Sequence, residues 1–228
     1  MPVVISIGIR AFLPDASVLD YADFFGFIFI IEGIFVATIA PEMLCGDRRE
    51  NVLALYFSRA ITRADYLLAK LVAAALLTLT VSFIPAVVLW LGRQLLEDAP
   101  LSAMRDNLDD LGRIAVAGGM IAAYLGALGL LISSFTGRKS IAVAIIVLGF
   151  LMAEALAGAL TFAVDDEELD RYIIFLSPTL TIADGLVAEL FNQPSLDVDL
   201  SLWMVLGEMG GVIALACAVM YWRYVPNE

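Results

Sequence analysis

Ile141-Ala142-Val143-Ala144-Ile145-Ile146-Val147-Leu148-Gly149-Phe150-Leu151-Met152-Ala153-Glu154-Ala155-Leu156-Ala157-Gly158-Ala159-Leu160-Thr161-Phe162-Ala163-Val164 decides the fold. A single charge, Glu154, interrupts it. A bilayer core takes about 20 mainly apolar residues as helix, because no water is there to satisfy backbone N–H and C=O groups. The run does not alternate with period two, which excludes a strand of a membrane barrel. Four more segments meet the same test: Asp23–Ala40, Tyr66–Leu91, Ile114–Phe135 and Leu200–Trp222. Of 228 residues, 61% are hydrophobic and 17% charged, against roughly 45–50% and about 25% in globular domains. The fold class is therefore all-α, a polytopic transmembrane helical bundle with five spans, and residues 1–228 read as one transmembrane domain.

Composition also excludes chemistry. With no histidine, the chain has no His general base, His-ligated haem or zinc, and no Ser–His or Cys–His nucleophile pair. Two cysteines, Cys45 and Cys217, do not make a disulfide framework or a thiolate cage. A net charge of −12 argues against a nucleic-acid partner. No metal or cofactor site is expected in this chain, and no catalytic constellation can be assembled, so it does not read as an enzyme.

Orientation follows from the Lys/Arg distribution between spans. One side carries Arg48, Arg49, Arg59, Arg63, Lys70, Arg138, Lys139 and Arg223; the other carries Arg10, Arg93, Arg105, Arg113 and Arg171. Acids sharpen the contrast, with Asp106, Asp109 and Asp110 in one loop of the second side and Asp165–Asp170 in the next. Residues 41–69, 136–140 and the C-terminus are expected in the cytoplasm and the N-terminus outside. Met1–Leu13 is too short to span and lacks a signal-peptide cleavage pattern. It reads as the tail of a helix that begins upstream or as a short interfacial helix.

The first cytoplasmic loop is the most informative connection. From Asp47 to Phe57, Asp47, Arg48, Arg49, Glu50 and Asn51 precede Val52, Leu53, Leu55, Tyr56 and Phe57. That pattern suits an amphipathic helix lying at the inner surface. Ser58–Thr62 breaks the helix, and Arg63-Ala64-Asp65-Tyr66 restarts one that enters the membrane. A basic loop obeying the positive-inside rule is the plainer reading. The run Ser58-Arg59-Ala60-Ile61-Thr62-Arg63-Ala64-Asp65-Tyr66-Leu67-Leu68-Ala69-Lys70 resembles the signature that leads into the third span of type-2 ABC exporter permeases. Ala60 stands where that family usually has proline, and Asn51-Val52-Leu53 where it commonly has Gly-Thr-Leu. Leu176-Ser177-Pro178 resembles the family's turn before a short re-entrant or interfacial segment ahead of the last span.

The resemblance implies a six-span pattern with the first span missing or shortened here, in a prokaryotic cell membrane. It also implies a membrane subunit that forms a translocation path, pairs with a second permease of the same or a different chain, and contacts membrane lipid. The Gly-x-x-x-x-Gly-Lys-[Ser/Thr] phosphate loop is absent from this sequence, so ATP and magnesium are expected on a separate ATP-binding subunit. The resemblance makes Asp47–Phe57 the coupling helix, with Asp47, Arg48, Arg49, Glu50, Asn51, Arg59 and Arg63 as contact candidates. Two other readings stay open: a non-transporting membrane subunit or scaffold, and an ion-coupled secondary transporter.

The second of those would use Glu32, Glu154 and Glu208, which interrupt spans. An ionised acid at the bilayer centre costs about 2.5–3.5 kcal/mol on insertion scales, so each is expected to face protein or water. Without a cation at similar depth, desolvation favours the neutral form. Such a group either hydrogen-bonds a neighbouring helix or lines a polar path. Gly207 and Gly211, and the stripe Gly118, Ala122, Gly126, suit close helix packing within the chain or with a second permease.

Overall fold

A computed structural model describes residues 20–50, 62–97, 99–163, 172–192 and 201–224. Five of its helices are long and apolar enough to cross a membrane. They are α1 (Tyr21–Arg49), α2 (Arg63–Leu95), α4 (Leu108–Phe135), α5 (Lys139–Ala163) and α8 (Leu202–Tyr224). A short helix, α3 (Pro100–Asp106), links α2 to α4. Between α5 and α8 the chain forms α6 (Pro178–Leu180), a π-helical turn (Thr181–Val187) and α7 (Ala188–Phe191). No strand occurs among the described residues.

Local chemistry sets several boundaries. Thr62 caps α2: its hydroxyl accepts from Asp65 N at 3.2 Å, while Asp65 accepts from Thr62 N at 3.1 Å, a reciprocal capping box. Asp109 and Asp110 sit in the first turn of α4, where the helix dipole favours negative charge. Within the spans, hydroxyls bond back to carbonyls one turn earlier, as Thr78 does to Ala74 O at 2.9 Å and Ser133 to Gly129 O at 2.6 Å. This pairing spares such hydroxyls the cost of standing unsatisfied in hydrocarbon.

One boundary differs from expectation. The first span does not end at Ala40 with a separate helix starting at Asp47; α1 runs unbroken through Pro41 to Arg49. Proline is tolerated inside membrane helices where neighbouring groups re-satisfy the freed carbonyl. At 29 residues, α1 is about 44 Å long at 1.5 Å per residue, so it outreaches a core of about 30 Å. The remainder of the expected coupling helix, residues 51–61, lies outside the described residues, as do Met1–Leu13 and the acidic run Asp165–Asp170.

α4 is the central helix, buried along most of its length, with α2, α1 and α8 packed around it; α5 leans on α1. Small residues permit this. A Cβ on Gly129 would lie 2.4 Å from Val36 Cγ1 on α1, and one on Gly118 would meet Leu79 and Ser82 of α2 at 3.2 and 3.3 Å. Gly126 lies against Ala74 and Ala75. The Gly118–Gly126 stripe is thus consumed inside the chain. Gly207 and Gly211 on α8 face open space.

The ends of α1, α4 and α8 and the starts of α2 and α5 gather at the Asp47 end of the bundle, which is the basic end. Tyr21, Arg93, Asn107 and Phe191 gather at the opposite, acidic end. The segment from Tyr172 enters the bundle from the acidic end, turns at Ser177-Pro178 and returns as α6, the π turn and α7. Ala183 packs on Gly26, Gly185 packs on Val205, and Phe191 stacks on Tyr21 with centroids 4.2 Å apart. Asn192, in the left-handed region at φ 50°, ends the run.

Candidate functional site

The site is built at two places: where the basic-end connections are tied, and where carboxylates enter the spans. At the basic end, Asp47 on α1 pairs with Lys70 on α2 at 2.8 Å, and the Tyr66 hydroxyl donates to the same carboxylate oxygen at 2.8 Å. Lys70 also lies over the Tyr66 ring, 5.5 Å from its centroid. Arg63 donates to Tyr224 O at 3.1 Å, which joins the start of α2 to the end of α8. Arg223 donates to Ser134 O at 3.0 Å and covers the Phe135 ring, which joins α8 to α4. On the other flank, Cys45 donates to Thr136 O at 3.3 Å, and Lys139 pairs with Glu42. Every span therefore has a polar tie at this end.

The coupling candidates fall into distinct positions. Asp47, half-buried, and Arg63, exposed, are both engaged by these ties. Arg49 is exposed at the end of α1, and Glu50 is exposed just beyond it. Arg48 lies in α1, while Asn51 and Arg59 fall outside the described residues. Asp47 thus acts first on the joint between α1 and α2, and Arg49 and Glu50 are left facing outward. Tyr66 and Lys70 complete that joint and were not among the expected residues.

The three intramembrane carboxylates separate sharply. Glu154 on α5 accepts from Ser177 Oγ at 2.6 Å and from Thr179 N at 3.0 Å; Ser177 Oγ in turn accepts from Leu180 N at 3.2 Å. It anchors the first turn of the re-entrant helix, whose orphan N–H groups need an acceptor in a place without water. Glu154 is thus the acceptor on both oxygens. Glu32 is fully buried on α1 and makes no hydrogen bond, with the Ser82 hydroxyl of α2 beside it. Glu208 is half-buried on α8 near Tyr124, with one oxygen buried and unpartnered. The three do not form a cluster, and no group of His, Cys, Asp and Glu among the described residues could hold a metal ion.

Compared with known protein families, the sequence matches the ABC-2 family transporter protein over residues 5–220. The chain belongs to the ABC-2 transporter family. No curated protein matches it. As an ABC-2 permease it is a multi-pass membrane protein and a transport component, not itself the catalytic one. In this permease, the tied joint between α1 and α2 is the connection that carried the family resemblance. The Ser177-Pro178 turn is the second motif, and its structural partner is Glu154.

Proposed function

We propose that this ABC-2 permease is the membrane subunit of an ATP-driven exporter. It would take mechanical work from a separate ATP-binding subunit that carries ATP and magnesium. The observation that supports this most is the joint at the basic end. A load applied to the loop between α1 and α2 reaches both helices together, because Asp47, Tyr66 and Lys70 fasten one to the other. Arg63 and Arg223 extend the fastening to α8 and α4. Arg48, Arg49, Glu50, Asn51 and Arg59 would make the contact with the ATPase, since charged side chains on such a loop pair with a soluble partner.

In this reading the basic end and the C-terminus are cytoplasmic, in a prokaryotic cell membrane. A second permease completes the path, and the uncovered Gly207 and Gly211 of α8 offer a close-packing face for it. Hydrolysis rocks the two halves between inward-facing and outward-facing states. Asp106, Asp109 and Asp110 rim the exit and disfavour anionic cargo at low salt. Family membership favours this over a scaffold or an ion-coupled carrier. The test is charge reversal, Arg48→Glu with Arg49→Glu. Loss of ATPase coupling or of assembly supports the reading; unchanged ATPase activity and unchanged assembly defeat it.

A further inference from the structure

The gap between α1 and α5 is filled at one end and open at the other. Towards the acidic end, the re-entrant run occupies it: Ala183 and Thr179 pack on Gly26, and Glu154 holds the turn at Ser177. Glu154 lies nine residues from the end of α5 at Ala163, about 13 Å along the helix, so the filled part covers roughly one leaflet. Below it, the gap is a groove of about 370 Å³ walled by Phe29, Ile30, Gly33 and Ile34 of α1 and Val147, Phe150 and Leu151 of α5. Farther towards the basic end the same two helices bound a cleft of about 700 Å³, whose lining includes Arg49, Arg138, Lys139, Glu42, Cys45 and Val143. Lys139, Val143, Val147, Phe150, Leu151 and Glu154 recur at helical spacing on α5, as Ile30, Ile34, Glu42, Cys45 and Arg49 do on α1. The two cavities thus lie on one seam.

We propose that this seam binds one anionic phospholipid of the leaflet on the basic side. Its phosphate sits among Arg49, Arg138 and Lys139, and an acyl chain lies along Gly33, Ile34 and Val147. Length and charge both select this occupant. From Arg138 to Phe150 the seam runs about 18 Å at 1.5 Å per residue, close to the roughly 15 Å of hydrocarbon in one leaflet. The mouth presents three cations against one acid, Glu42, which pairs with Lys139; Asp47 is turned towards Lys70. The walls above are almost wholly apolar, and the closure at Glu154 and Thr179 stops an occupant at mid-depth.

Native mass spectrometry of the full chain, released from mild detergent, tests this. The added probe is phosphatidylglycerol, phosphatidylcholine with the same acyl chains, or inorganic phosphate. Phosphatidylglycerol is expected to be retained at least tenfold more tightly than phosphatidylcholine, and phosphate not at all. Arg49→Gln with Arg138→Gln should weaken retention about thirtyfold, at about fivefold per surface cation. Lysine at both positions should keep most of it. Gly33→Leu enters open space, with no atom within 4 Å of its Cβ, and should displace the acyl chain severalfold while the fold stays intact. Arg105→Gln, on an exposed helix at the acidic end, should change nothing. Equal retention of the two lipids, retention of bare phosphate, or wild-type binding by either the double glutamine variant or Gly33→Leu would overturn the proposal.

Discussion

Replacing Glu154 should loosen the re-entrant run and leave the spans in place. The carboxylate accepts two hydrogen bonds, from Ser177 Oγ and Thr179 N. Glu154→Ala leaves both donors without an acceptor, away from water. Each buried unsatisfied group costs about 1–3 kcal/mol, while hydrogen bonds between membrane helices average only about 0.6 kcal/mol. The two together give about 2–4 kcal/mol of local destabilisation. Glu154→Gln keeps one acceptor oxygen and should cost about 1 kcal/mol. Hydrogen–deuterium exchange of the full chain in detergent reads this directly. Amides of residues 178–191 should exchange about 30- to 700-fold faster in Glu154→Ala. They should shift by less than tenfold in Glu154→Gln, and those of α4 should not change in either. Equal exchange in wild type and Glu154→Ala would refute the capping role, and so would a glutamine variant as labile as the alanine one.

Gly129→Ala places a Cβ 2.4 Å from Val36 and 2.9 Å from Ala40, and should cost about 1–3 kcal/mol, read as a lower thermal midpoint. A Cβ at Gly207 has no neighbouring atom within 4 Å, so Gly207→Leu should leave that midpoint in place and reduce permease pairing, read as a smaller particle in size measurements. A double-mutant cycle of Asp47→Asn and Lys70→Gln should return a coupling of about 1 kcal/mol in thermal stability. Additive effects would show that the ion pair does not fasten α1 to α2.

The bundle was legible because the bilayer restricts what an apolar run can be. Ile141–Val164 admits one conformation, and the five spans follow. Ends were harder to place. Pro41-Glu42 reads as a stop, yet α1 continues to Arg49, with Glu42 paired to Lys139 across to α5. The restart was legible in Arg63-Ala64-Asp65-Tyr66, while the Thr62–Asp65 capping box that fixes it comes from the structure. The Ser177-Pro178 turn was visible by resemblance and by where proline can begin a helix. Its bond to Glu154 was not, because no local pattern encodes how deeply a hairpin dips into a bundle. The same holds for Asp47 and Lys70: each looks like a solvated charge on its own segment, and only the antiparallel packing of α1 and α2 brings them within 2.8 Å. Of the two small-residue patterns, the sequence could not say which is used internally. The crossing of α4 over α2 decides it.

The central claim is that this permease works only in a complex driven by another chain's ATPase. Purification of the full chain from its native membrane in mild detergent, with mass measurement of the intact particle, tests that most directly. The account predicts a particle of two permeases and two copies of a protein carrying a phosphate-binding loop, whose ATP turnover is uncoupled from transport, or whose assembly is lost, on Arg48→Glu with Arg49→Glu. A folded monomer of this chain, alone in the particle and transporting without ATP, would contradict it.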